Sequence, residues 1–468
     1  YQFKARPWEL KRTDSIDIFD SVGSNIRVDS RAEEILRVTP RTNEFINEEW
    51  ISDKVRFNYD GYYQQRIDIP YIKKNQKLSS SSWEESLKIL KNKLKSLKPL
   101  ALVGEHVDLE TGYAINKFMS NFGKDNVECR TDNQAILENL DSYRFNTPLN
   151  EIENSDLIIL LGTNPKIETP IINHKIFKAY NNNSRIFNIG ENISLNYQTE
   201  YLGDKLSNLN NEKLIKALKK SSNPLIIIGS AFLSKIKNIK TLKSIFSFAD
   251  KYNVITKDKN NLNFLNPYAS RVGQLILGNT TKNLCEPFSK LKKEKFEIVL
   301  SFGSEHIASE QFDNCFRVYF GHHGDEGAMK SDIILPTPLY TEKNGIFVNI
   351  EGRPQEAKKC HNPIGSAKEE WSIIKKLSDE FSFVFEPNTF EQLRSELLKK
   401  HTKLSIFHEI LSNDNASPII TDIEFEDCNT QYPINNFYMS DIISKNSVTM
   451  AKCVEEIAST PSLLEKSA

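Results

Sequence analysis

The sequence predicts an α/β protein: a small β-rich start, Rossmann-type parallel-sheet domains, and an irregular carboxy-terminal extension. Three observations predict it. Between Pro99 and Gly303 one unit recurs, a short and wholly apolar run that ends at a glycine. The first 75 residues instead alternate apolar with polar residues. Amphipathic helices with capping signals lie between these regions.

The repeated unit carries the most weight. Its members are Leu100–Gly104, Leu157–Gly162, Leu225–Gly229 and Ile298–Gly303, with Arg185–Gly190 a weaker example. A strand that is apolar at every position is buried on both faces, as in a parallel sheet covered by helices. The glycines fall where strand becomes loop at the carboxyl edge, where open α/β sheets bind ligands. Residues 1–78 form the β-rich subdomain, on alternating pieces such as Asn25–Asp29 and Ile35–Val38. Residues 79–255 and 256–385 form two α/β domains, and 386–468 the extension. Ser82 and Glu85 fit a capping box ahead of Trp83, Leu87, Leu90 and Leu94. Ser366 and Glu369 repeat the pattern before Trp371, Ile374 and Leu377.

Composition narrows the function classes. The 468 residues carry 61 Lys+Arg against 62 Asp+Glu, so there is no electrostatic reason to expect nucleic acid as a partner. The basic run Lys290–Lys295 fits a solvated helix face. No apolar run approaches the ~20 residues that span a bilayer, so membrane association would go through a partner. The start, Tyr1-Gln2-Phe3, lacks Met and an apolar leader. It fits a processed chain, a split gene product or part of a longer polypeptide. The six cysteines, Cys129, Cys285, Cys315, Cys360, Cys428 and Cys453, include no C-x-x-C, so no zinc ribbon or cubane cluster has a local ligand set.

Gly321-His322-His323-Gly324-Asp325-Glu326-Gly327 offers metal or anion chemistry. Adjacent side chains seldom converge on one ion, and the glycine spacing suits a tight loop after Phe316–Phe320. Gly162-Thr163-Asn164-Pro165 follows a buried strand and can cradle phosphate, yet matches neither the P-loop nor the dinucleotide fingerprint. A nucleotide-binding regulatory module on the Gly162 or Gly324 loops is therefore a minor reading. Cys360-His361 fits a surface loop rather than a metal site.

A resemblance sharpens these readings. Ser331–Pro336, Tyr340–Gly345 and Val348–Gln355, the last reading Asn-x-Glu-Gly-Arg-x-Gln from Asn349, resemble the signature of the molybdopterin oxidoreductases. Arg6–Leu10, Ser21–Asp29, Asn47–Lys54, Leu161–Pro165, Gly321–Asp325, Phe437–Asp441 and Met450–Cys453 resemble, in order, the large iron–sulfur (75 kDa) subunit family of mitochondrial respiratory complex I.

The resemblance implies molybdopterin-oxidoreductase-like domains and a place in the matrix-side peripheral arm at the mitochondrial inner membrane. It implies support of electron transfer from NADH to ubiquinone, not chemistry of this chain's own. Partners would be other peripheral-arm subunits, including a ferredoxin-like half with the 2Fe-2S and 4Fe-4S clusters and the flavin- and NADH-binding assembly. That half would precede this chain or lie on a separate one. Some bacterial relatives carry a C-x-x-C-x-x-x-C where this chain has Asp17, Asp20 and Ser24. Carboxylates and a hydroxyl replace thiolates poorly, so no cluster and no other cofactor is expected here, and residues 1–78 are a cluster-domain remnant. Gly162, Thr163, Asn164, Gly324, Glu351 and Arg353 become relics of a cofactor site. Arg6 and Trp8 are candidate contacts with the cluster-bearing half. The rival reading is an active, formate-dehydrogenase-like molybdopterin enzyme.

Overall fold

A computed structural model describes residues 4–123, 125–281, 296–412, 422–428, 432, 434 and 436–459. Cys285 and Lys290–Lys295 lie outside them. The alternating start forms an antiparallel sheet of β1 (Lys11–Ile16), β2 (Asn25–Arg31) and β3 (Glu34–Pro40). Its inner face packs Ile16, Ile26, Val28, Ile35 and Val38 against Val55, Tyr62 and Tyr340.

The apolar runs become parallel strands in two separate sheets. One is wholly parallel, in the order β10 (Glu200–Tyr201), β9 (Arg185–Ile189), β8 (Leu157–Leu161), β11 (Pro224–Ile228), β12 (Leu262–Phe264). The other has seven strands: β5 (Lys77–Ser80), β4 (Tyr71–Lys74), β15 (Ile333–Pro336), β14 (Phe316–Gly321), β13 (Ile298–Phe302), β6 (Pro99–Val103), β7 (Val127–Glu128). Here β4 pairs antiparallel with both β15 and β5, so it alone runs against the other strands. Residues far apart in sequence thus share a sheet: Pro99 pairs with Ile298 and Val103 with Phe302. The signature segment supplies β16 (Gly345–Val348) and β17 (Pro354–Ala357), an antiparallel pair.

Every residue of β6, β8, β11 and β13 is buried. Each Leu or Ile so placed favours folding by about 1.5–3 kcal/mol, which makes these strands the stable frame of both sheets. The helix Trp83–Ser96 starts as its sequence implies: the Ser82 hydroxyl accepts from Glu85 N at 3.1 Å, and Leu87, Leu90 and Leu94 face the core. The second capping box does not form. Glu369 is the N-cap of Glu370–Phe381 without a side-chain cap bond, and Ser366 accepts instead from the Trp83 indole. The Cys360-His361 surface loop is also corrected. Both residues are buried, and His361 meets Thr341 Oγ1 at 3.2 Å. The extension is more helical than its polarity implied, with helices at Phe390–Lys400, Ile442–Lys445 and Val448–Ser459.

One buried cation ties the signature segment to the frame. Lys343 Nζ lies 2.7 Å from Asp108 and 2.8 Å from Glu370, all three buried. Lys343→Met leaves two carboxylates enclosed without their counter-charge. Breaking such a triad costs about 3–5 kcal/mol, and a fall of that size in urea unfolding free energy is expected.

Candidate functional site

The seven-stranded sheet reverses its order at β6 and β13. From β6 the chain moves out to β7, and from β13 it moves the opposite way to β14 and β15. Ligands of open α/β sheets bind outside the carboxyl ends of the strands at such a point. Here Gly104 follows β6 and Gly303 follows β13, and a Cβ on Gly104 would meet Gly303 O at 2.2 Å. The close approach lets both loops carry Glu-His side by side, Glu105-His106 and Glu305-His306. They border a cavity of about 300 Å³ lined also by Ser304, Ser309, Glu326, Ser440 and Ile442. Neither loop stood out in the sequence, because the two dipeptides lie far apart along the chain.

The carboxy-terminal segment lies across this edge. Lys445 bonds Glu305 at 2.6 Å. Asp441 caps Ile442–Lys445 through Ile443 N and Ser444 N. Lys54, 4% exposed, donates to Phe19 O at 2.9 Å and to Ser440 Oγ at 2.8 Å, and its ammonium stands 3.7 Å from Asp441. Burial opposes the Asp441 charge, but Lys54 and His106 outweigh it and bring the carboxyl below its usual range. Asp60 accepts from Ser447 Oγ and from both N and Oγ1 of Thr449. The segment is thus fastened to the β-rich start at two places and to the sheet edge at a third.

The five-stranded sheet has its own loop, after β8. Gly162 takes φ +58°, and a Cβ there would meet the Phe232 ring at 2.3 Å. The donors that suit a phosphate are already taken. Thr163 Oγ1 and Asn164 N donate to one Glu168 oxygen, and Ser230 N and Oγ to the other. Glu168 is buried and its pKa is raised by that burial. An internal carboxylate stands where an anion would.

The His-His loop is spliced into the β-rich start. His323 Nε2 lies 2.9 Å from Gly61 O, so that nitrogen carries the proton and Nδ1 accepts from His322 Nδ1 at 2.6 Å. Gly324 N donates to Gln65 O, and Arg66 Nε to His322 O. Burial lowers both histidine pKa values, that of His323 to about 4. Among the described residues no group of three or more His, Cys, Asp or Glu side chains is placed to hold a metal.

Glu351 and Arg353 bond each other at 2.6 Å, and Glu351 also accepts from Leu149 N. Around them Asn349 and Gln355 donate to Val22 O and Gly23 O. The signature strand therefore braces the turn that holds Asp17, Asp20 and Ser24. In that turn Asp17 accepts from Phe19 N and Asp20 from Val22 N. Asp17 Oδ2, Ser21 Oγ and Ser24 Oγ are buried without hydrogen-bond partners. Burial, then Asp20, holds the Asp17 carboxyl well above its usual range, and burial raises Asp20 too. Arg6 and Trp8 are both exposed, Trp8 to 80%.

Residues 66–380 match the family model described as "Molybdopterin oxidoreductase", and residues 411–453 match the model for the C-terminal part of the NADH-ubiquinone oxidoreductase G subunit. The chain is 39% identical over 469 residues to the NADH-quinone oxidoreductase G subunit of Rickettsia bellii, covering 97% of this chain and 67% of that protein. It belongs to this G-type subunit family. The "NADH-ubiquinone oxidoreductase 75 kDa subunit" of Reclinomonas americana is 36% identical, with 97% of this chain and 69% of that one covered. The mitochondrial 78 kDa subunit of Candida albicans is 36% identical over 97% and 65%. In fold the chain is similar to acetylene hydratase from Pelobacter acetylenicus, with TM-score 0.57 and 12% identity over 86% of this chain and 74% of that one.

A third model, "NADH-ubiquinone oxidoreductase NDSU1/NuoG-like, 4Fe-4S domain", matches residues 10–60. This departs from the expectation that no cluster sits in this chain, since its start matches a cluster-domain model. The donor set present does not fit a cubane, since residues 10–60 contain no cysteine and the turn offers carboxyls and hydroxyls. A phosphate-bearing pterin fits as poorly. It would meet Glu105, Glu305 and Glu326 at one edge and Glu168 at the other.

Lys54→Met is expected to loosen residues 436–459 and the turn around Phe19 while leaving the parallel sheets intact, read as faster proteolysis and hydrogen exchange confined to those two stretches. Asp17 supplies a pH test. Its folded pKa is raised from 3.8, so its contribution to stability is complete below that value and is lost as pH rises through the folded one. Asp17→Asn should therefore be more stable than the parent at pH 8, by on the order of 1–3 kcal/mol. The gap should close towards pH 4 in denaturation series.

Proposed function

We propose that this chain is a scaffold part of the large iron–sulfur subunit in the peripheral arm of respiratory complex I. In this reading it performs no redox step itself. It supports electron transfer from NADH to ubiquinone by holding neighbouring cluster-bearing elements in place and excluding water from them. The observation that carries the reading is how the chain's own groups take over the carboxyl edge. Glu168 fills one of the two places where a sheet of this type takes a ligand, and the Ser440–Lys445 segment is tied across the other, beside a cavity of about 300 Å³. The relatives' names give the complex.

The cluster-bearing partner is a ferredoxin-like element with 2Fe-2S and 4Fe-4S centres, on the same polypeptide or another, and the flavin-containing assembly lies beyond it. The exposed Arg6 and Trp8 face that partner. The matrix side of the mitochondrial inner membrane is the location that fits the Reclinomonas and Candida relatives. No described helix is long and apolar enough to cross a membrane, so attachment runs through other subunits. The turn at Asp17, Asp20 and Ser24 is a cluster-free remnant.

Two measurements test this. Elemental analysis and electron paramagnetic resonance of the purified chain should give neither stoichiometric iron nor molybdenum or tungsten. Stoichiometric molybdenum or tungsten would establish the formate-dehydrogenase-like rival, and stoichiometric iron alone would show a cluster in this chain. Arg6→Ala with Trp8→Ala should lower the yield of assembled complex while the chain's own melting temperature stays unchanged. Normal assembly would remove those residues from the interface.

A further inference from the structure

Away from both ligand edges, three parts of the chain enclose a groove of about 870 Å³. The cluster-type start supplies Trp50 and Asp53, and the helix Pro170–Asn181 supplies His174 and Phe177. The carboxy-terminal part supplies Phe437 and, from the helix Val448–Ser459, Val454 and Ile457. Trp50 is 48% exposed, and of the 12 residues of Val448–Ser459 only Met450 is buried. Val454 and Ile457 follow Met450 at helical spacing, so one apolar stripe continues from the core into the groove. Such a stripe beside an exposed tryptophan marks a surface that another molecule covers.

The walls are held in place. The Lys54 ammonium stands 5.3 Å from the centre of the Phe437 ring, and Asp60 fastens the start of Val448–Ser459 through Ser447 and Thr449. The Trp50 and His174 rings lie 5.3 Å apart. A groove fixed in advance loses little side-chain freedom when it is filled.

Shape and charge select the occupant. No lining residue belongs to a strand, so strand addition has no edge to extend. The spacing of Val454, Ile457 and Ala458 suits the packing of a second helix. Asp53 lies in the lining, Glu49 precedes Trp50, and Glu455 follows Val454; all three are exposed. None of these carboxylates has a hydrogen bond or ion pair among the described residues. Lys166 is the one cation in the lining, because burial lowers the His174 pKa and leaves that ring neutral at pH 7. The rim is therefore acidic.

We propose that the groove seats a basic amphipathic helix of a neighbouring subunit, its aliphatic residues against Trp50, Phe437, Val454 and Ile457 and its lysines or arginines beside Glu49, Asp53 and Glu455. This rests on the scaffold reading, which supplies the neighbour, and adds where that neighbour is gripped. Arg6 and Trp8 are not in the lining, so theirs is a separate contact.

Photo-crosslinking in the assembled complex tests it. A benzophenone amino acid is placed at Ile457 and, in a second preparation, at Trp50 on the facing wall. Mass spectrometry should find both joined to one peptide of another subunit, with aliphatic residues at i, i+3 or i+4 and i+7 and flanking lysines or arginines. A crosslink to lipid, to an acidic or non-amphipathic segment, or only within the chain overturns the inference. So does the absence of any crosslink from both positions. Val454→Asp with Ile457→Asp changes incompletely buried positions. The chain's melting temperature should stay unchanged while the yield of assembled complex falls about tenfold. Glu49→Lys with Glu455→Lys should lower the yield as well. Normal assembly by the aspartate pair removes the docking site, and normal assembly by the lysine pair removes the basic occupant. An affinity-tagged parent chain that brings down no other complex I subunit sinks the scaffold reading itself; a chain that assembles without a crosslink here sinks only this one.

Discussion

A parallel sheet whose strands are buried on both faces leaves its carboxyl edge as the one place where loops, backbone N–H groups and polar side chains collect away from the frame. Once water is excluded, those groups must find partners, because an unpaired buried donor costs about 1–3 kcal/mol. In a ligand-binding relative of this architecture, a ligand can answer them. In this chain the answers are covalently attached. Glu168 gathers the hydroxyl and N–H donors around β8 and β11, and the Ser440–Lys445 segment meets the β6 and β13 loops. The shape of a binding fold persists because internal groups have taken over the contacts that keep its loops in place.

The same substitution operates at the β-rich start. A cluster holds a loop by drawing several thiolates onto one body. Here Asp17 and Asp20 each close a local turn on a backbone N–H two residues ahead. Lys54 pins the intervening Phe19 carbonyl, and Asn349 and Gln355 hold the turn from the signature strand. The fold of residues 10–60 is thereby specified by hydrogen bonds and one buried ammonium. This reconciles a match to a cluster-domain model with a stretch that has no cysteine.

Much of this was legible in advance, for identifiable reasons. Buried parallel strands announce themselves because nearly every position must be apolar, and β6, β8, β11 and β13 did so with Ser301 as the one polar residue among them. The Ser82 cap was legible because its partners lie within one turn. Partnerships across long stretches of chain were not. Nothing local tells that β6 pairs with β13, or that Glu105 and Glu305 will face one cavity. Gly162, Thr163 and Asn164 read correctly as a loop after a strand. Their internal counter-anion did not show, since Glu168 looks like any helix-end acid until the fold buries it. Cys360-His361 misled for the converse reason: without a second ligand pair nearby the two residues suggest a surface loop, and only their distant contacts with Thr341 reveal the enclosure.

The carboxy-terminal segment shows how these features fit together. Residues 411–453 match the narrow model of the G-type subunit, whereas 66–380 match the broader molybdopterin oxidoreductase model. The narrower match is also the stretch that reaches across the broader fold's ligand edge and ties it to Lys54 and Asp60 of the cluster-type start. A cofactor enzyme needs that edge open to admit its ligand and substrate. A scaffold needs it rigid, because a loose loop there would let water reach whatever lies against the chain. Ion pairs and hydroxyl contacts that close the edge serve the second need and oppose the first. The local chemistry of this segment, rather than the architecture beneath it, is therefore what separates a supporting role from a catalytic one.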